Sequence, residues 1–167
     1  MSSSSTALNL SQKPWEFALP SGRILRGIEV AAKAPGKRRA KKSVTLLVHG
    51  WMDNAASFQS LLLALPAHNT ANPQCTYIAV DLAGHGLSDH LPPDGHYVAA
   101  QYALDVCDVL KALSTAFDRI GLVGHSLGAG VCVLAERAEV CKLDSLVLIE
   151  GEMGGGEWGG ARLCVRI

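Results

Sequence analysis

Apolar and polar positions alternate with period two from Trp15 onward. Trp15, Phe17 and Leu19 stand against Glu16 and Ala18, and after Pro20-Ser21-Gly22 the alternation resumes through Ile24, Arg26, Ile28 and Val30. That pattern predicts an antiparallel hairpin with a turn at the proline and glycine. Ser43 to Val48 reads differently, as an unbroken β-branched and leucine-rich run, and so do Thr76 to Val80, Arg119 to Val123 and Ser145 to Ile149. Continuous apolar runs of this length are strands covered on both faces, as in a parallel sheet. Between them the period changes. Phe58, Leu61, Leu62 and Leu65 fall at i, i+3, i+4 and i+7 and predict a helix over Ala55 to Leu65 that stops before Pro66. Ala99, Tyr102, Val106, Leu110 and Leu113 put one apolar stripe on a longer helix, and the proline-free Ala129 to Val140 offers a third. Strands alternating with helices imply crossover units and a mostly parallel sheet with helices on both faces, an α/β architecture. Ligands of such sheets bind at the carboxyl ends of the strands. The glycine-rich and polar residues gather there: His49 to Asn54, Asp81 to Ser88, His125 to Leu127, and Glu150.

The flanks have no such order. Residues 1–13 are serine-rich and predict a disordered start, residues 14–151 a partial domain, and residues 152–167 an unstructured tail. Gly151, Gly154, Gly155, Gly156, Gly159 and Gly160 lie within ten residues, a composition that is neither strand, helix nor lid and reads as a truncated end. Ser145 to Ile149 would then be an exposed edge prone to aggregation. The six basic residues between Lys33 and Lys42, around Pro35-Gly36, read as a solvated loop, with a localisation signal or an anionic surface as the alternative.

Composition narrows the function classes. The 167 residues make one domain, short of the ~200 to 250 usual for such α/β enzymes. Fifteen basic residues balance fifteen acidic ones, which gives no nucleic-acid surface. No apolar run approaches the ~20 residues of a membrane span, and the start lacks the apolar core of a secretory signal, so a cytoplasmic protein is expected. Cys75, Cys107, Cys132, Cys141 and Cys164 show no zinc-ligand spacing and are expected to be free thiols of a reducing compartment. No metal or cofactor is expected, and the spacing says nothing of oligomeric state.

The chemistry lies in Arg119 to Gly130. Here Gly124-His125-Ser126-Leu127-Gly128 follows a predicted strand and opens a predicted helix, the G-x-S-x-G pattern of a nucleophile elbow. A serine in a strained strand-to-helix turn needs small residues two positions on either side. Together with His49-Gly50-Trp51-Met52-Asp53-Asn54-Ala55, Asp81-x-x-Gly84-His85-Gly86-x-Ser88 and Leu146 to Gly151, this chain resembles the α/β-hydrolase superfamily, and within it the serine hydrolase-like group, from about Trp15 to Gly151.

The resemblance implies an acyl-enzyme mechanism on a small ester, thioester or amide. Ser126 would be the nucleophile, and the backbone N–H groups of Trp51 and Leu127 would form the oxyanion hole. It implies Glu150 as an acid position and His49, Gly50, Asp53 and His125 as substrate-binding positions. Beside that stands a structural reading in which His49 and His85 brace their loops, Asp53 and Asp81 fix theirs, and His125 points away from the serine hydroxyl. In this fold the acid and then the histidine follow the serine, yet all six histidines lie at or before His125. A catalytically dead fragment or pseudoenzyme is therefore an alternative, and an acyltransferase or a carbon-carbon bond hydrolase is another.

Overall fold

The computed structural model of the chain describes residues 9–33, 41–68, 75–150 and 164–166. β1 (Asn9–Ala18) and β2 (Ile24–Lys33) form the expected antiparallel hairpin, its turn closed where the Gly22 N–H donates to the Leu19 carbonyl at 2.9 Å. The strand begins earlier than the alternation does. Asn9 to Lys13 pair with Lys33 to Glu29, and Lys13 meets Glu29 at 3.2 Å, which corrects the disordered start over residues 9–13. Backbone pairing against a long partner strand does not require an apolar face, so periodicity could not reveal it. Residues 1–8 lie outside the described residues.

Seven strands form one sheet in the order β1-β2-β4-β3-β5-β6-β7, with β3 (Ser43–Val48), β4 (Cys75–Val80), β5 (Arg119–His125), β6 (Ser145–Ile149) and β7 (Cys164–Arg166). The four central strands are parallel, β4 to β3, β3 to β5 and β5 to β6. β2 joins one side antiparallel and β7 the other. Cys164 to Arg166 pair with Leu148 to Leu146, so the unstructured-tail expectation is corrected over those three residues and the β6 edge is covered there. The sequence signal was too short to see, since three residues carry no periodicity. The glycine-rich segment 151–163 and the basic segment 34–40 lie outside the described residues.

Side-chain parity divides the core between the two faces. Val44, Leu46, Val48, Ile78, Val80, Ile120 and Leu122 pack with Tyr102, Val106 and Leu110 of α2 (Ala99–Ala116) and with Val131, Cys132 and Ala135 of α3 (Leu127–Arg137). Leu47, Tyr77, Ala79 and Val123 pack instead with Phe58 and Leu62, which come from a 3₁₀ turn (Ala55–Phe58) and α1 (Gln59–His68). Successive residues of each central strand thus serve opposite cores, which is why their sequences are apolar without alternation. α1 runs through Pro66 to His68, correcting the stop expected before it. A proline in the last turn keeps a helical φ and forfeits one hydrogen bond, so it does not end the helix at once. α3 ends at Arg137, short of the expected Val140, and Glu139 beyond it takes a positive φ of 50°.

A strained serine at the carboxyl end of the sheet

β5 ends at His125 and α3 begins at Leu127, so Ser126 alone makes the turn from strand to helix. Its φ of 52° and ψ of −120° lie where side chains other than hydrogen are strained, at a cost of ~1–3 kcal/mol. The two glycines make the turn passable through different contacts. A Cβ on Gly124 would land on the backbone of Gly128 and Ala129, the close approach the motif implies. A Cβ on Gly128 would strike the carbonyls of Val48 and His49, so the second glycine seats α3 against the end of β3. The turn is held from below where the Ser126 N–H donates to the Ile149 carbonyl at 2.9 Å.

The loop after β3 faces this serine. A Cβ on Gly50 would stand 3.3 Å from Ser126 Cβ and 3.3 Å from His125 Nδ1, a tight contact that the glycine relieves where the loop approaches the serine. Neither the Trp51 nor the Leu127 N–H donates a hydrogen bond to another described residue. Met52 follows with φ 56°, and Asn54 caps the 3₁₀ turn by accepting from the Ala56 N–H at 2.9 Å. Asp53 accepts from the Asn54 N–H at 2.8 Å.

His49 is fully buried. Its Nε2 accepts from the Leu82 N–H at 3.0 Å, so the ring proton sits on Nδ1 and is donated to the Gly50 carbonyl at 2.7 Å. Burial lowers its pKa from 6.5, against the pull of the Gly50 carbonyl. Both ring nitrogens are committed to backbone, which corrects the expectation that His49 contacts a substrate. His85 is bonded in the same way, accepting from the Met52 N–H at 3.3 Å through Nε2 and reaching the Ala83 carbonyl at 3.1 Å through Nδ1. Each histidine ties the loop after β3 to the loop after β4.

Asp81 organises the second loop. One carboxylate oxygen accepts from the Ala55 N–H at 2.6 Å and the other from the Leu87 N–H at 2.9 Å, while Gly86, at φ 51°, leaves the space that a Cβ would take from that carboxylate. Ser88 donates to the Asp81 carbonyl at 2.6 Å and accepts from the Arg26 N–H at 2.8 Å, so the loop is also joined to the hairpin. His125, beside the nucleophile, turns its Nε2 to Glu150 at 3.5 Å. Glu150 follows the last residue of β6 with a φ of 49° and is exposed. Ser126, Trp51, Gly50, His125 and Glu150 are thus gathered at one end of the sheet, while Asp53 lies to the side of the loop.

On that side a cavity of about 470 Å³ opens, lined in part by Trp51, Asp53, His85, Tyr97 and Tyr102. Ser126 is not among the residues that line it. The periodicity placed Tyr102 on the core stripe of α2, and it is 1% exposed. Nothing in the spacing marked its hydroxyl, which is buried without a hydrogen-bond partner among the described residues.

An alpha/beta hydrolase family model matches residues 45–166. The chain is 33% identical over 140 residues to a human serine hydrolase-like protein, covering 81% of this chain and 59% of that one. It is 37% identical over 105 residues to a serine hydrolase-like protein of Dictyostelium discoideum, covering 63% of this chain and 27% of that one. Among solved structures, a hypothetical protein of Pseudomonas aeruginosa PAO1 is 32% identical with a TM-score of 0.62, covering 87% of this chain and 46% of that one. The thioesterase domain from the curacin biosynthetic pathway shares the fold, with a TM-score of 0.63 at 23% identity, over 90% of this chain and 49% of that domain. The chain therefore spans 27% and 59% of the lengths of those two curated relatives. With a serine elbow seated on a parallel sheet and the family match running from β3 to β7, the chain belongs to the alpha/beta hydrolase family.

Proposed function

We propose that Ser126 is the nucleophile of a serine hydrolase site that acts on a small ester, thioester or amide. The observation that carries this reading is the strained Ser126 turn opposite Gly50, with two N–H groups, Trp51 and Leu127, free of other described partners beside it. In the mechanism, Ser126 Oγ adds to the substrate carbonyl carbon as its proton leaves to a base. The carbonyl oxygen becomes an oxyanion, and the Trp51 and Leu127 N–H groups donate to it. Collapse expels the alcohol, thiol or amine and leaves an acyl-enzyme, which water then hydrolyses. Losing one such donor typically costs ~3 kcal/mol of transition-state stabilisation. Treatment of the 167-residue chain with a fluorophosphonate, followed by peptide mapping, is expected to find the adduct on Ser126 and none in Ser126→Ala. An adduct confined to other residues would refute the assignment.

A second reading, a chain that holds the nucleophile without a base, is favoured by a specific observation. The acceptor nitrogens of His49 and His85 are taken by the Leu82 and Met52 N–H groups, and His125 is turned toward Glu150. The His49 and His85 rings, with both nitrogens engaged, offer Ser126 no free lone pair, and a serine hydroxyl without a base is a weak nucleophile. The two readings differ in rate and in pH dependence, not in the identity of the labelled residue.

A further inference from the structure

We propose that the cavity beside the loop after β3 is a second binding site, one for a small organic cation that carries an oxygen acceptor.

Its walls are aromatic. His85 meets Trp51 edge-on at 5.6 Å between ring centroids and Tyr102 edge-on at 5.9 Å, and Tyr97 lies 6.4 Å from Tyr102. Asp53 supplies a carboxylate, and no lysine or arginine is among the described residues lining the space. Aromatic faces and a carboxylate without a compensating basic group attract a cation and repel an anion. A volume of about 470 Å³ is ample for an alkylammonium head with a short chain.

The walls are also held before any ligand arrives. The Tyr97 hydroxyl accepts from the Leu91 N–H at 3.0 Å and lies 3.1 Å from His90 Nδ1. Its ring presses on Gly84, where a Cβ would come within 2.5 Å of it and where φ is 75°. His85 is fixed by the Met52 N–H and the Ala83 carbonyl. A ligand entering this space does not have to order its own walls, which removes part of the usual cost of binding.

Tyr102 supplies the second, independent observation. Its hydroxyl is the one buried side-chain polar atom without a partner among the described residues. Nearly all buried polar groups in native proteins are satisfied, so an orphan in a cavity wall calls for an acceptor brought by a ligand. An ammonium group among the rings, with an ether, ester or hydroxyl oxygen at the inner wall, meets both demands. Ser126 does not line the cavity, and the one residue it shares with the proposed nucleophile's site is Trp51, whose backbone N–H serves the oxyanion and whose ring serves the cavity wall.

Choline has this chemistry, and 3,3-dimethyl-1-butanol has its shape without its charge. Titration of the 167-residue chain, followed by tryptophan fluorescence with Trp51 as a wall residue, is expected to saturate with choline and to give binding at least about tenfold weaker with the neutral isostere. Tyr102→Phe should weaken choline about three- to tenfold while melting at or above the wild-type temperature, because it removes an unpaired hydroxyl. Asp53→Asn should weaken choline and leave the isostere unchanged. Failure of choline to saturate, equal binding of the isostere, wild-type affinity in both variants, or a lower melting temperature for Tyr102→Phe would each overturn the proposal.

Discussion

At Ser126 the backbone carries a conformation that a glycine would hold at lower cost, and only the hydroxyl justifies a serine there. Ser126→Ala keeps the Cβ and its strain, whereas Ser126→Gly relieves it. In thermal or denaturant unfolding, Ser126→Gly is expected to be more stable than Ser126→Ala by about 1 kcal/mol, although both lose the nucleophile. Equal stability would mean that the turn is unstrained. His49 offers a pH test at the same scale. Its folded-state pKa lies below the 6.5 of the free side chain, so below that pH the unfolded chain takes up a proton more readily than the folded one. Its contribution to stability is complete above about 6.5 and falls as the pH drops toward the folded value. Melting temperature against pH should therefore decline below about 6.5, and the decline should flatten in His49→Gln. The elbow was legible from Gly124, Ser126 and Gly128 because a steric demand fixes residue type at fixed spacing. The role of Gly128 was only half legible, since its contact is with β3, about 80 residues away in the chain.

Among the elements, the two loops after β3 and β4 behave as one unit. Asp81 holds the start of the 3₁₀ turn through Ala55 and the second loop through Leu87, and Gly86, lacking a Cβ, leaves room for the carboxylate. An asparagine has one acceptor oxygen for two donors. Asp81→Asn is thus expected to destabilise the fold by about 1–3 kcal/mol in chemical denaturation, through one unsatisfied buried N–H. A neutral result would show that the loops are positioned by packing alone. Strands β3 and β6 were readable from end to end because runs dominated by β-branched residues and leucine mark their limits. The start of β1 and the whole of β7 were not, because main-chain pairing tolerates any side chain. The same blindness applies to the Arg23 and Asp105 side chains, a bidentate pair at 2.8 and 2.6 Å that joins the hairpin to α2 across 82 residues. No local pattern announces a partner that distant.

For the molecule as a whole, the sheet brings four separate stretches of sequence to one rim, and that convergence makes a site out of individually ordinary motifs. Parallel order follows from the alternation of strand and helix, and the rim's chemistry from where each strand ends. The edges are a matter of stability more than of function. β7 shields β6 through the pair Val147 and Val165, so Val165→Pro, which removes a backbone N–H, is expected to raise light scattering on heating. No change would mean that β6 is protected by something other than β7. The central claim is that the rim holds an assembled nucleophile, Ser126, and that this chain, with the His49 and His85 rings engaged elsewhere, follows the second reading and supplies it no base. The pH dependence of fluorophosphonate labelling at Ser126, measured on the 167-residue chain from about pH 5 to 9, tests it most directly. The account predicts a rate that climbs about tenfold per pH unit without a plateau, as for an unassisted hydroxyl. A rate that levels off near pH 7, with the plateau lost in His85→Gln or His125→Gln, would contradict it, because an imidazole would then be taking the serine's proton.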